Sequence, residues 1–319
     1  MPARALWFHL PERTFVEITG RDRASFLHGF CTNDVKGLAL GQGCEAFVTT
    51  HQAKIVAWVQ ISVLPDRLRL TAEPGLGAKL TAFLGRYIVS EDVELADVTG
   101  QWTTLLVTGG DAATLDRICD MPVSTLTPRQ RQGVSMAGQE VQLERRAWLR
   151  EDDFWLEAVP SAAARVGQAL TAAGWQEGTA DVYEALRIAA GIPVYGIDLD
   201  ESNLPQEVNR TEQAISFIKG CYAGQETVAR IRTYGHVNRL LVRLRLTGYA
   251  GPADALRGAG LMHEATEVGR VTSAAADPEA GLVRALGYVR RGAEKPGTLL
   301  AVAAATAEVL APEGAGALQ

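Results

Sequence analysis

Hydrophobic and polar positions change their period several times along the chain. Strict alternation in "TFVEITG" (14–20) predicts a strand, and "RDRASFLHGF" (21–30) then places Ala24, Phe26, Leu27 and Phe30 near one helical face. "CEAFVTT", "KIVAWVQISVL" and "RLRLTA" predict three strands joined by short polar or Pro-Asp turns. "PGLGAKLTAFLGRYI" has Pro74 at its start and helical spacing after it, and "VELADVT" returns to a strand. The order then nearly repeats. A strand in "WTTLLVTG", a helix in "DAATLDRICD", strands in "EVQLERRAWL" and "DFWLEAV", and a helix in "SAAARVGQALTAAGW" follow. The connections are too short for parallel crossovers, so the echo predicts two related α+β lobes with mainly antiparallel sheets.

"ADVYEALRIAAGIP" predicts a helix stopped by Gly191-Ile192-Pro193. The stretch "VYGIDLDESNLPQEVNRTEQ" is long for a connection inside a domain, and such loops are often functional. Beyond Gly235 the chain breaks into strand-like runs punctuated by Gly and Pro, from "VNRLLVRLRLTG" to "TAEVLA", as in a small β-barrel or sandwich. The expected organisation is two α+β lobes in 1–235, a small barrel in 236–312, and a flexible tail at 313–319.

Length and charge narrow this picture. A chain of 319 residues holds two or three domains. A net charge of −6 opposes broad nucleic-acid or anionic-membrane binding. It still allows a local basic pocket, and Arg230, Arg232, Arg239, Arg243 and Arg245 cluster in sequence; they could equally line solvent faces of a helix and a strand. The start, "MPARALWFHLPERTF", lacks the apolar core of a secretory signal, and "TLLAVAAATAEVLA" is too short to span a bilayer. The expected location is the cytoplasm, where thiols stay reduced. Cys31, Cys44, Cys119 and Cys221 show no metal-ligand spacing, so no metal is expected.

One of these cysteines has a distinctive setting. In "FIKGCYAGQETVAR" (217–230), Cys221 lies between Gly220 and Gly224, with Lys219 two residues before it. A helix is expected from about Gly224, with Gln225 and Glu226 in its first turn and Arg230 four residues after Glu226. A nearby lysine and a helix start both favour thiolate. A small buried cysteine filling the turn fits the same pattern. Asn33 and Asp34 in "GFCTND" suit either a polar site or a helix C-terminal turn. His28 and His51 stand alone in sequence, and His236 follows "TYG".

"AGIPVYGIDLDESNLPQE" followed by "ISFIKGCYAGQETVAR" resembles the signature region of the YgfZ-type folate-binding proteins, relatives of the glycine-cleavage T-protein. "FLHGFCTNDVKGLALGQGCEAFVTTHQAKIVAWVQI" resembles their N-terminal segment, and "GRVTSAA" with "ALGYVRR" their terminal barrel. The resemblance implies a T-protein-like α+β fold of three domains and a tetrahydrofolate-type ligand. It implies a role in iron–sulfur cluster assembly or repair that supports enzymes such as radical tRNA modifiers. Partners would be iron–sulfur assembly proteins or client enzymes. Cys221 would be the working thiol, supported by Lys219, Gly220, Tyr222, Gly224, Gln225, Glu226 and Arg230, with Asn33, Asp34, Trp58, Tyr195 and Arg239 at the ligand pocket. Two departures matter. T-proteins carry acids on a hairpin where this chain has Ala57 and Trp58, neither of which exchanges a proton at neutral pH, so glycine cleavage is not expected. Many relatives grip the pterin with a glutamate where this chain has Ala189, a loss of roughly 1.5–3 kcal/mol for a charged hydrogen-bonding group. The alternatives are a folate-dependent aminomethyltransferase or demethylase, and a non-catalytic partner-binding scaffold.

Overall fold

The computed structural model describes residues 4–277 and 280–312; the expected tail at 313–319 lies outside the described residues. The chain forms two compact units. The first comprises Met1–Gln52, Val56–Thr179 and Glu212–Gln225; the second comprises Ala53–Ile55, Ala180–Thr211 and Glu226–Gln319.

The first unit is built on two sheets. In chain order the strands are β1 (Leu6–His9), β2 (Thr14–Thr19), β3 (Gly43–Thr49), β4 (Ile55–Val63), β5 (Leu68–Ala72), β6 (Glu94–Asp97), β7 (Thr103–Thr108), β8 (Arg131–Met136), β9 (Gln139–Arg145), β10 (Phe154–Ala158) and β11 (Gln176–Glu177). The helices are α1 (Arg23–His28), α2 (Gly77–Gly85), α3 (Ala112–Asp116) and α4 (Pro160–Ala172). One sheet runs β3-β4-β5-β2-β6 and the other β11-β1-β7-β10-β9-β8. The pairing is antiparallel apart from β1 with β11.

The two-residue period of a strand explains what each face carries. On β10, Phe154, Leu156 and Ala158 point into an apolar core with Leu143, Val141, Val107 and Val166, while Trp155 and Glu157 point the other way. β9 and β8 repeat the division, with Glu144 and Arg131 on the second face. On β5, Leu68 and Leu70 alternate with Arg69 and Thr71. The second faces meet through buried ions. Arg69 Nη1 donates to Glu157 (3.0 Å) and Nη2 to Glu17 (2.7 Å). Arg131 donates to Glu157 at 2.5 and 2.9 Å and to Glu144 at 3.2 Å. Arg146 closes a two-point contact on Glu144, both bonds 2.7 Å.

The second unit contains a closed barrel of β12 (Arg239–Thr247), β13 (Gly260–His263), β14 (Thr266–Asp277), β15 (Leu282–Arg290), β16 (Leu299–Val302) and β17 (Ala305–Val309), in the order β12-β15-β14-β13-β16-β17. Leu244, Leu261, Val271, Val289 and Leu300 fill it. The remaining α-helices among the described residues are α5 (Ala180–Ala189), α6 (Thr211–Ala214), which lies mostly in the first unit, and α7 (Gln225–Tyr234). The long 194–213 stretch is pinned rather than loose. Arg187 of α5 is buried and pairs with Asp198 (2.7 Å), whose carboxylate also accepts from Val194 N (2.9 Å) and Ser273 Oγ (2.6 Å). Among the described residues no helix is long and apolar enough to cross a membrane.

Some elements depart from the sequence pattern. β1, β8, β11 and β13 were not legible, since they are short or present few apolar residues. The strand expected over 140–149 ends at Arg145, because Arg146 turns inward to Glu144. The helix expected over 111–120 is only Ala112–Asp116, capped by Asp111 at Ala113 N.

Burial alone would push the Glu157 carboxyl up, but Arg131, with Arg69 and Arg146, holds it down at about 2. In the unfolded chain a glutamate titrates near 4.3, so between these values the unfolded state binds the extra proton and acid favours unfolding. Glu157→Gln should therefore lower stability at pH 7 by about 3–5 kcal/mol, as expected when one partner of a buried pair is removed. Urea unfolding from pH 7 down to pH 2 checks this: the gap between the two proteins should close as the pH falls.

Candidate functional site

The motif segment lies against the loop that follows α1, within the first unit. Lys219 Nζ donates to three carbonyl oxygens, those of His28 (2.6 Å), Cys31 (2.6 Å) and Asn33 (2.9 Å). Two residues past the thiol, Ala223 N donates to Gly29 O (2.9 Å), and Ala223 O accepts from Thr49 Oγ1 (2.7 Å). Upstream, Ser216 N donates to Thr32 O (2.9 Å) and Thr32 Oγ1 to Ala214 O (2.6 Å). Cys221 thus sits in a short span tied down on both sides, with its own side chain exposed. Tyr222 is buried with its ring 4.7 Å from Lys219 Nζ, a cation–π contact. Gly224 has φ +86°, which a side chain would strain, so the glycine is needed to turn the chain into α7.

This assigns different tasks within the motif. An ammonium has three donors, and all three of Lys219's go to carbonyls. Its hydrogen bonds therefore hold the loop and do not reach the thiol. Burial pulls the Lys219 ammonium down against the opposing pull of Cys31 and Asp34. Burial also pushes the Cys31 and Cys44 thiols up, and moves Cys119 to about 12. These three cysteines are held as neutral thiols, whereas Cys221 meets solvent.

The pocket residues expected in this unit have firm structural partners. Asn33 Nδ2 donates to Glu45 O (2.8 Å) and Gln213 O (3.0 Å), and its Oδ1 accepts from Asp34 N (2.9 Å). Trp58 and Ala57 point to opposite faces of β4. Trp58 Nε1 donates to Glu45 Oε1 (2.9 Å), and its ring stacks on Trp148 at 5.5 Å and 11°. With Trp155, Arg13, Gln60 and Glu73 these rings line a slot of about 10 Å³, room for about one water. Gln60 Nε2 and Trp155 Nε1 are buried there with no hydrogen-bond partner among the described residues.

Asp34 has a neighbour that the sequence did not suggest. His28 Nδ1 lies 3.3 Å from Asp34 Oδ1. No local pattern marks this pair, because five residues lie between them and only the fold closes the gap. In the second unit, Arg239 Nη2 contacts Glu207 Oε2 (3.3 Å) and its guanidinium lies over the Tyr288 ring at 4.8 Å. Arg243 donates to Ala189 O (2.8 Å), and Arg245 pairs with Glu308. Tyr195 bridges to Leu199 within the pinned loop. Glu226 and Arg230 lie on α7, where Val228 is buried and its carbonyl accepts from Gln206 Nε2 (2.8 Å).

The sequence profile of the GCVT N-terminal domain matches residues 9–215. The chain belongs to the GCVT family. A chloroplastic protein of Arabidopsis thaliana, classed provisionally as a transferase, is 27% identical to this GCVT-family chain over 293 residues, covering 90% of the chain and 66% of the relative. A protein of Natronomonas pharaonis named as a probable aminomethyltransferase is 28% identical over 295 residues, 90% of this chain and 80% of the relative. The crystal structure of glycine cleavage system aminomethyltransferase T from Bartonella henselae matches with a TM-score of 0.84 over 98% of this chain and 86% of that one, at 20% identity. The fold is therefore that of the T-protein, with mostly antiparallel sheets and a closed six-stranded barrel.

Lys219→Met should strand three carbonyl acceptors. A midpoint loss in urea equivalent to about 2–3 kcal/mol is expected, in line with hydrogen bonds to charged groups. Lys219→Arg should not restore it, because a planar fork cannot satisfy three converging carbonyls.

Proposed function

We propose that this GCVT-family protein is a folate-binding-type factor of iron–sulfur cluster assembly or repair, with the Cys221 thiol as its working group. One observation carries the reading: of four cysteines, Cys221 is the one exposed, and it is presented from a span fixed at both ends. Ile218, three residues before it, is 97% exposed, an apolar side chain that a partner protein could cover. The likeness of "KGCYAGQE" to the YgfZ-type signature supports the iron–sulfur assignment, and a thiolate serves as an iron or sulfur ligand.

The relatives named as aminomethyltransferases favour a second reading, a folate-dependent transferase or demethylase. Ala57 and Trp58 count against it. Both are buried, and neither can take or give a proton where the T-protein hairpin has acids.

The residues described fit a folate only in part. The tryptophan slot is too small for a pterin ring in this conformation. Ala189 offers no side-chain acceptor, and its carbonyl is taken by Arg243. Family membership makes tetrahydrofolate the proposed ligand.

Titration with tetrahydrofolate, followed by tryptophan fluorescence and by the rate of Cys221 alkylation, tests ligand and thiol together. Saturable quenching with protection of Cys221 is expected. In a deletion strain, Cys221→Ser should fail to restore iron–sulfur enzyme activity. Full restoration would sink the thiol role. Turnover of glycine, sarcosine or dimethylglycine by the purified protein would move the assignment to the transferase reading.

A further inference from the structure

A cavity of about 240 Å³ opens within the first unit, beside the sheet β11-β1-β7-β10-β9-β8. None of its walls belongs to the motif segment or to the loop after α1. β7 ends at Thr108, and Gly109 and Gly110, with φ +64° and +78°, turn the chain toward Asp111, the cap of α3. A Cβ on Gly110 would lie 3.1 Å from Trp175 Nε1. The glycine therefore lets the indole close on the turn, where Nε1 donates to Gly109 O (3.1 Å). Trp175, Phe154, Val107 and Leu115, all buried, form the apolar wall. A cavity of roughly 150 Å³ takes benzene, so this one has room for a hydrocarbon side chain with polar ends at the opening.

The walls also carry one cation, Arg145, and two carboxylates, Asp111 and Asp152. Arg145 Nη1 donates to Leu126 O (2.9 Å), which fixes the guanidinium at the end of β9, and Nη2 pairs with Asp152. The Asp152 side chain is 71% exposed, and an ion pair with so exposed a partner is weak. A carboxylate from solution can take its place on the planar fork. Asp111 uses Oδ1 to cap Ala113 N (3.0 Å), and Oδ2 is left for a ligand. One cation against two carboxylates leaves the cavity net negative. A ligand bringing only a carboxylate meets repulsion there, whereas one that also brings an ammonium is complementary to both signs.

We infer that this cavity binds a free α-amino acid with an apolar side chain. Its carboxylate pairs with Arg145, its ammonium with Asp111, and its side chain lies along Trp175 and Leu115. The site uses no residue of the Cys221 reading, so neither assignment depends on the other.

Calorimetric titration of the full-length protein with L-phenylalanine and L-leucine tests the site. 3-Phenylpropanoate, which lacks the ammonium, and 2-phenylethylamine, which lacks the carboxylate, are titrated beside them. Saturable binding of one or both amino acids is expected, with each one-ended analogue at least tenfold weaker, the effect of losing a hydrogen bond to a charged group. Arg145→Gln should weaken binding of the amino acid at least tenfold. Asp111→Asn, which keeps a good helix cap, should weaken it by a similar factor and leave 3-phenylpropanoate no weaker. Absence of saturable heat with both amino acids overturns the inference. So does either analogue binding as tightly as phenylalanine, or undiminished amino-acid binding in Arg145→Gln. If Arg145→Gln fails to fold by circular dichroism, Asp111→Asn decides, and unchanged binding there overturns the inference equally.

Discussion

One ammonium group organises the candidate site. Lys219 satisfies three carbonyls at the end of α1 and in the loop after it, and the bonds at Ser216 and Ala223 complete the tether of the motif segment. It fixes the height at which Cys221 emerges, places Gly220 against His28, and spends the lysine's hydrogen bonds on architecture. A lysine two residues from a cysteine reads in sequence as an electrostatic activator. In the fold it is a clamp, and the side chain beside the adjacent Gly220 is a histidine almost two hundred positions away.

The first unit has an unusual division of labour between its sheet faces. The outer faces bury aliphatic side chains in the ordinary way. The inner faces meet through Arg69, Glu157, Arg131, Glu144 and Arg146, with Trp58, Trp148 and Trp155 beside them. Such contacts are costly to desolvate, and they tolerate only one register, because a one-residue slip of any strand would exchange ions for leucines. Trp58 belongs to this inner face. Its place is explained by packing and by the bond to Glu45, so Trp58 is part of the frame.

Much of this was legible in the chain. Alternation found five of the six barrel strands, missing β13, and most strands of the two sheets, and Gly-Ile-Pro marked the end of α5, because these signals are local. The motif around Cys221 was visible for the same reason: glycines, a cysteine and a helix start lie within a few residues. What escaped was long-range. β8 shows only Val134 and Met136 to the core, and its Arg131 looks like a surface residue until Glu144 and Glu157 are placed beside it. His28 looked isolated because its partners, Asp34 and Gly220, come from a turn and from a distant segment. Arg239 and Arg243 looked like free cations, yet the fold gives them Glu207, Tyr288 and the Ala189 carbonyl.

The ionic seam between the two sheets also sets how the protein responds to heat. The penalty for stripping water from charged groups falls as temperature rises, while the gain from burying aliphatic surface levels off. A frame joined by Arg69, Glu157, Arg131 and Glu144 is thus tightened, relative to an aliphatic joint, by warming. Cys221 is presented from the same unit that holds this seam.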